Sequence, residues 1–121
     1  MKKLSIQLTI LLKDLTEKGL SVLNKEFTKE GTAFVLHNEK GKKVAEIHYE
    51  ETDKGYVIAD HTVVDDRLRG QGIAEQLLDR LVAEMEKENK TIYATCSFVI
   101  WKFQENPEKY DHINYDKQKQ A

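Results

Sequence analysis

Apolar residues recur at helical spacing between Gly72 and Asn89, and this is the clearest pattern in the chain. The stripe consists of Ile73, Leu77, Leu78, Leu81, Val82 and Met85. Charged residues, among them Glu75 and Glu86, occupy the other faces. Because positions three and four apart share one face of an α-helix, the pattern predicts an amphipathic helix over 72–89 whose apolar face packs on a core.

Short runs rich in β-branched and aromatic residues precede this helix. Three of them predict the strands of an antiparallel meander: Leu20–Phe27, Thr32–His37 and Lys43–Tyr49. Turn-forming clusters that contain glycine separate them, at Lys29–Gly31 and Asn38–Gly41. The first half of the chain is therefore predicted to be mostly β-structure.

A fourth run, from Gly55 to Val64, is nearly continuous in apolar and β-branched residues. Strands that are buried on both faces have continuous hydrophobic runs, whereas strands with one solvent-exposed face alternate hydrophobic and polar residues. The sequence therefore predicts a central strand here, buried on both faces.

The pattern returns to β-structure after the long helix. Thr91–Phe98 is predicted to be a fifth strand, and Val99–Glu105 a short helix that ends before Pro107. Trp101 and Phe103 are expected to pack that helix on the core. The apolar residues expected to share one face of the strand are Ile92, Ala94, Cys96 and Phe98.

Strand, helix and strand in succession make a parallel crossover unit. Attached to the meander, this unit gives an α+β (mixed α/β) fold: one twisted mixed sheet with helices packed on it. Residues 20–115 are predicted to form the domain. An acceptor groove or an amphipathic surface segment fits Tyr110, His112 and Tyr115, and we favour the surface segment. Residues 116–121 are polar and are predicted to be a frayed tail.

Residues 1–19 are predicted to be an amphipathic extension of that domain. Within residues 4–18, leucines at positions 4, 8, 11 and 15 fit one helical stripe that stops at Gly19. Apolar residues at every second position from 4 to 12 fit a strand equally well. We favour the helix, and a role in covering the core or in self-association.

Composition and charge limit the function classes. The chain has 121 residues and a formal net charge of −2, without a basic stripe, which fits one domain that does not bind nucleic acid. Cys96 is the single cysteine, so a reducing, cytoplasmic setting is expected. The apolar stretch behind Lys2 and Lys3 is too short to span a membrane and lacks a small-residue cleavage site, so we expect neither export nor membrane insertion.

The segment Arg69–Ala74 joins the fourth strand to the long helix. A helix N-terminus offers unpaired N–H groups and partial positive charge, which together favour an anion such as a pyrophosphate. Gly70 and Gly72 leave the backbone accessible, and Arg67 and Arg69 can add charge-assisted hydrogen bonds. Two glycines can also serve a tight turn alone. The spacing is neither the dinucleotide-binding nor the P-loop pattern.

The stretch from Asp60 to Ala74 resembles the cofactor motif of the GNAT N-acetyltransferase superfamily, in which Arg69, Gly72 and Ala74 match Gln/Arg-x-x-Gly-x-Gly/Ala. The sequence around this motif is similar to that of a small single-domain branch of the superfamily. The segments that carry this second resemblance are Asp60-His61-Thr62, Arg69-Gly70-Gln71-Gly72, Cys96-Ser97-Phe98 and Pro107-Glu108-Lys109-Tyr110. The resemblance extends from about Asn24 to Tyr115.

The resemblance implies a GNAT-like fold and acetyl-CoA as the cofactor, with no metal. Backbone groups of Val63 and Val64 would then bind the pantetheine arm. The loop residues that would hold the pyrophosphate are Arg69, Gly70, Gln71, Gly72, Ile73 and Ala74. The resemblance also implies that the fourth and fifth strands separate to admit the thioester.

His61 and Cys96 are the candidate catalytic residues, on strands expected to be parallel neighbours. Amine acetylation needs a base for the amine and a proton for the departing thiolate. An imidazole suits the first task, and Cys96 can act as acid or as nucleophile. Without the resemblance, a histidine satisfied by Asp60 or Thr62 and a small buried cysteine explain both residues. His37 and His48 have no metal-ligand spacing around them.

Three functions follow as hypotheses. The first is an acetyl-CoA-dependent N-acetyltransferase that acts on an unknown amine. The second is an acyl-CoA-binding module with little turnover that acts through a protein partner. The third is an interaction protein whose N-terminal segment pairs with a partner, including a second copy of the chain. No membrane partner is expected.

Overall fold

The computed structural model describes residues 27–119. The strands and helices in chain order are β1 Thr28–Lys29, β2 Ala33–His37, β3 Lys43–Glu51, β4 Tyr56–Val64, a 3-10 turn Asp66–Leu68, α1 Ile73–Lys87, β5 Thr91–Ala94, α2 Ser97–Glu105, α3 Pro107–Tyr110 and α4 Tyr115–Lys119. The segment 4–18 and most of the predicted strand Leu20–Phe27 lie outside these residues.

The described strands form one sheet in the order β1-β2-β3-β4-β5. β1 to β4 pair antiparallel with their sequence neighbours. β5 pairs parallel with β4, which the chain achieves by crossing over through α1. The predicted α+β fold, a meander joined to a parallel β-α-β unit, is confirmed.

Helix α1 packs its predicted stripe on one face of the sheet, and all six residues of the stripe are buried. Gly72 precedes the helix with a φ of 75°. At the other end Asn89 has a φ of 58°, and the N–H of Lys90 donates to the carbonyl of Met85 at 2.9 Å. This left-handed residue closes the helix and directs the chain into β5. Opposite the helix lie Phe34, Leu36, Ala45, Ile47, Tyr49, Val57, Ala59 and Ile92.

Strand β4 is buried on one face only, so the predicted burial of both faces is wrong. The ladder pairs Ala59 with Tyr49 but His61 with His48, which leaves Asp60 as an extra residue on β4. A bulge of this kind shifts the alternation of side chains by one position. Core-facing side chains therefore follow one alternating pattern before Asp60 and another, shifted by one residue, after it. Together the two patterns make the sequence of β4 look continuously apolar.

Strand β5 ends at Ala94, four residues before the predicted end at Phe98. The N–H groups of Thr95 and Cys96 both donate to the carbonyl of Ala59, at 3.0 and 3.1 Å. The chain then turns away from the sheet, and Cys96 becomes the residue that precedes helix α2. The predicted helix is thus present but begins two residues earlier, and Phe98 belongs to it.

The C-terminal segment contributes more to the core than predicted. Tyr110 is fully buried, with its ring centroid 5.2 Å from that of Phe103, rather than on a surface segment. Trp101, in contrast, is 53% exposed although it was expected in the core. Helix α4 extends to Lys119, where a frayed tail was predicted. Within residues 27–119 no helix is long and apolar enough to cross a membrane.

Candidate functional site

Strands β4 and β5 separate beyond Ala59. Their parallel pairing runs only from Tyr56 to Ala59, because Thr95 and Cys96 turn away into α2 while β4 continues to Val64. The last part of β4 therefore has β3 on one edge and, among the described residues, no strand on the other. This slot between the strands agrees with the separation that the sequence resemblance implied.

The direction of the β4 backbone groups follows from its pairing with β3. The N–H of Asp65 donates to the carbonyl of Val44 at 2.8 Å, so the backbone groups of Asp65 point toward β3. These directions alternate along an antiparallel ladder. The N–H and carbonyl groups of Val64 and Thr62 therefore point into the slot, whereas those of Val63 point toward β3. The Val63 side chain is 47% exposed, on the face away from α1.

The loop that follows β4 is built by a capped turn and two left-handed glycines. The Asp65 carboxylate accepts a hydrogen bond from the N–H of Arg67 at 2.9 Å, and this bond lowers the pKa of Asp65. Gly70 and Gly72 have φ values of 83° and 75°. A Cβ atom at Gly70 would meet no described neighbour within 4 Å, so it is the backbone conformation that calls for glycine in this structure.

Gly72 is the residue before helix α1, and no side chain there caps the helix with a hydrogen bond. Its first N–H groups therefore remain available for an external acceptor, at the positive end of a helix of 15 residues. This is the local arrangement that favours an anion.

A cleft of about 530 Å³ connects the slot with this helix N-terminus. We call it the β4–α1 cleft; its lining residues are Thr62, Val64, Leu68, Arg69, Gly70, Gly72, Ile73, Ala74, Glu75, Phe98, Trp101 and Lys102. The predicted site residues Gln71 and Val63 do not line it, and Arg67 lines a separate cleft beside the β2–β3 turn.

One wall of the β4–α1 cleft was missed by the sequence prediction. Helix α2 contributes Phe98, Trp101 and Lys102, which are spaced three and four positions apart and so share one face. Val99 and Phe103 occupy the face that packs on the core. This spacing was visible in the sequence, but the extension of the predicted strand to Phe98 concealed it.

Charges at the cleft are partly neutralised. The Lys102 side chain is 12% exposed and its ammonium lies 3.3 Å from the Glu75 carboxylate; this hydrogen bond lowers the pKa of Glu75. Lys109 also contacts Glu75, at 3.4 Å. Arg69 lies 3.1 Å from Asp66 but keeps a 73% exposed side chain. The carboxylate in the first turn of α1 is therefore paired, while the Arg69 side chain can move to an anion.

His61 and Cys96 point to different faces of the sheet. The Cys96 Sγ–H donates to Thr62 Oγ1 at 3.3 Å, so the thiol adjoins a residue that lines the β4–α1 cleft. His61 lies on the opposite face, 54% exposed, with its Nε2 atom 4.0 Å from Glu46. The two candidate catalytic residues therefore do not face one cavity, and Cys96 lies beyond the end of β5 and not on a strand.

A chain of hydrogen bonds holds the bulge in β4. The Asp60 carboxylate lies 2.8 Å from His48 Nδ1, which must donate because a carboxylate only accepts. The other nitrogen, Nε2, lies 3.2 Å from the Thr32 hydroxyl. Asp60 is the extra residue of the bulge. These hydrogen bonds therefore fix the position after which the backbone groups of Thr62 and Val64 point into the slot. Sequence spacing gave no sign of it.

The described part of the chain contains no group of three or more His, Cys, Asp or Glu side chains arranged to hold a metal ion. His37 and His48 instead pair with carboxylates, Glu30 and Asp60 respectively. Both contacts tie neighbouring parts of the sheet together.

Comparison with known proteins gives a family match. The family model described as GCN5-related N-acetyl-transferase matches residues 33–113. No curated protein matches this sequence. Among solved structures, a GCN5-like protein from Staphylococcus aureus, studied by NMR in solution, is 31% identical. The similarity covers 75% of this chain and 88% of that one, with a TM-score of 0.62.

A more distant crystal structure, of the acyl-CoA N-acyltransferase type from Klebsiella pneumoniae, is 17% identical and has a TM-score of 0.50. The similarity covers 81% of this chain and 69% of that one, and it supports the fold alone.

Proposed function

Because the chain belongs to the family of GCN5-related N-acetyltransferases, we propose that it binds acetyl-CoA along the β4–α1 cleft and transfers the acetyl group to a primary amine. The observation that carries this proposal is the continuity of the cleft. One channel joins an unpaired strand edge to the uncapped N-terminus of α1. The unpaired strand edge can bind an extended arm that contains amides, and the helix N-terminus can bind a pyrophosphate.

The pyrophosphate end fits the loop. The first N–H groups of α1 lack a side-chain cap, and Gly70 and Gly72 place no side chain between them and the cleft. Arg69, on the rim, supplies the mobile positive charge. The Gln71 side chain does not line the cleft, and its buried oxygen has no hydrogen-bond partner in the described chain, so we assign no pyrophosphate contact to that side chain.

The pantetheine arm fits the slot. Its amides can pair with the backbone groups of Thr62 and Val64, in the way that a strand adds to a sheet edge. This replaces the pair Val63 and Val64 that the sequence resemblance implied, because Val63 directs its backbone toward β3. Phe98, partly buried, forms the apolar wall opposite.

The chemistry requires two proton transfers. The amine nitrogen forms a bond to the acetyl carbon while the carbon–sulfur bond breaks; the amine loses a proton and the CoA sulfur gains one. We assign the first proton to His61, which is open to solvent on the face away from the cleft. The second comes from the Cys96 thiol, which adjoins Thr62 at the slot. In this arrangement the acceptor and acetyl-CoA approach from opposite faces of the sheet.

One observation favours the alternative of an acyl-CoA-binding module that acts through a protein partner. His61 and Cys96 do not share a cavity, and the one ion pair of the His61 side chain among the described residues, with Glu46, is long at 4.0 Å. A bound partner would then have to supply the catalytic group that is missing beside His61. The two functions differ in one measurable respect, since only the enzyme turns over with a free amine.

Titration calorimetry with CoA, on the full chain and two variants, tests the binding proposal. Gly72→Glu places an anion at the N-terminus of α1 and should abolish binding. Gly41→Glu is the matched control: Gly41 also has a positive φ, of 79°, and has space for a Cβ atom, but it lies in the β2–β3 turn. It should bind CoA like the wild type. Wild-type protein that does not bind CoA, or equal binding by both variants, would remove the proposal.

A further inference from the structure

Trp101 is the most exposed of the large apolar side chains in the described chain, at 53%. It is also the single tryptophan in the sequence. An exposed indole is a binding surface when it adjoins a site for a ligand, and Trp101 lines the β4–α1 cleft. Trp101 is therefore placed to contact a ligand bound in the cleft.

The position of Trp101 along the cleft follows from its neighbours. Helix α2 starts at the slot, where Cys96 contacts Thr62, and runs outward through Phe98 to Trp101. The next residue, Lys102, lies 3.3 Å from Glu75 in the first turn of α1. Trp101 thus lies beyond the slot and at the level of the helix N-terminus.

The contacts of Trp101 leave room for a stacked partner. The Lys102 ammonium lies 5.4 Å from the centroid of the indole, a cation–π contact that occupies one side of the ring. The core-facing residues of α2 are Val99 and Phe103, so Trp101 does not turn inward. A rigid planar side chain with an open face, beside a phosphate site, suits a nucleobase.

We propose that Trp101 is a stacking platform for the adenine ring of CoA, an inference that rests on the proposed function. The adenosine is joined directly to the pyrophosphate that the N-terminus of α1 would hold. It extends away from the slot, which is the side on which Trp101 lies. Trp101 is a positioning residue here: it acts on affinity for the nucleotide half of the molecule and not on the acetyl group.

The test separates the two halves of CoA. Trp101→Ala should weaken binding of CoA and of 3′,5′-ADP about 5- to 150-fold, the range for removal of one base–aromatic stack. Binding of 4′-phosphopantetheine, which has no adenine, should change less than twofold. Trp101→Phe should retain most of the affinity. Ile100→Ala is the matched control, since Ile100 is exposed on the same helix but does not line the cleft.

The fluorescence of the lone tryptophan gives a second readout on the unmodified chain. Its emission should be quenched by CoA and 3′,5′-ADP and left unchanged by 4′-phosphopantetheine. Equal quenching by phosphopantetheine would overturn the adenine assignment, because the indole would then cover the pantetheine arm. Emission that shifts with protein concentration alone, with a dimer that Trp101→Ala dissociates, would overturn it in favour of a second copy of the chain.

The outcomes distinguish this inference from the proposed function. If CoA binds the wild type and Trp101→Ala with equal affinity, the stacking proposal is wrong and the binding proposal stands. If the wild type binds no CoA, both are wrong. Circular dichroism of Trp101→Ala checks the fold, and Trp101→Phe and the wild-type fluorescence decide the matter should that variant unfold.

Discussion

The thiol of Cys96 donates a hydrogen bond to the hydroxyl of Thr62 across the slot between β4 and β5, at 3.3 Å. Thr62 is directed to this side by the bulge at Asp60, and the same bulge sends the adjacent His61 to the opposite face. One extra residue in β4 therefore places Thr62, the partner of Cys96, on the side of the cleft and His61 on the other side.

His61 is expected to act as the base on the acceptor side. A positioned base contributes about 10²–10⁴-fold, so His61→Ala should lower kcat with a free primary amine by at least about 10²-fold. Its affinity for CoA should stay nearly unchanged, because His61 lies away from the cleft. His112→Ala is the matched control: His112 is also 54% exposed and is likewise paired with one glutamate, Glu86. Similar turnover by both variants would show that His61 is not the base.

Cys96 is expected to donate a proton without becoming acetylated. The hydrogen-bond partner of its thiol is the Thr62 hydroxyl, and among the described residues no lysine, arginine or histidine side chain is bonded to the sulfur, in contrast to cysteines activated by a basic partner. Mass spectrometry of the wild type after incubation with acetyl-CoA should show no added acetyl group. Cys96→Ser should keep partial activity and Cys96→Ala should lose more. An acetyl group mapped to Cys96 and discharged by an amine would contradict this and establish a covalent route.

The contact between His48 and Asp60 is expected to support both stability and binding. His48→Ala and Asp60→Ala should each lower the free energy of unfolding by about 0.5–1.5 kcal/mol, and the double variant by less than the sum, because they remove one shared interaction. Both should also weaken CoA binding by loosening the bulge that directs Thr62 and Val64.

His37→Ala provides the control for that pair. His37 is also on the sheet and pairs with a carboxylate, that of Glu30 at 3.2 Å, but it lies in β2, away from the bulge. Its removal should leave CoA affinity at the wild-type value. Strict additivity of the His48 and Asp60 effects, measured by urea unfolding, would refute the coupling.

Tyr110 is expected to make the fold sensitive to alkali. Burial, with the nearby Asp79 carboxylate, raises the pKa of Tyr110 from 10.0 to about 12. A raised pKa means that the stabilisation is complete below pH 10 and is lost as the pH rises through about 12. Tyr110→Phe lacks the hydroxyl that donates to Asp79 at 3.1 Å, so it should cost about 0.5–1.5 kcal/mol at neutral pH.

The measurement is the free energy of unfolding in denaturant at several pH values between 8 and 12. The wild type should lose stability above pH 10 more steeply than Tyr110→Phe. Lys109, whose pKa is also raised by contacts with Tyr110 and Asp79 although burial opposes this, adds a loss in the same direction. Tyr93→Phe, in the aromatic cluster with Tyr56, should keep the wild-type profile. Parallel profiles for Tyr110→Phe and the wild type would contradict the assignment.

Periodicity in the sequence determined the elements that depend on local chemistry. The six apolar residues of α1, spaced three and four apart, pack on the sheet as predicted, because a helix has one fixed repeat. Gly72 marked the start of that helix, since a backbone with positive φ favours glycine over other residues. The same loop carried the resemblance to the N-acetyltransferase family, so the anion-binding end of the cleft was also visible in the sequence.

Tertiary structure decided what depends on pairing between distant strands. The bulge at Asp60 exists only in the register of β4 against β3, and no spacing within β4 revealed it. The end of β5 at Ala94 likewise follows from the N–H groups of Thr95 and Cys96, which share the Ala59 carbonyl across 36 and 37 residues of sequence, a contact that local propensity cannot encode. These two long-range pairings open the slot, place Cys96 beside Thr62, and send His61 to the other face.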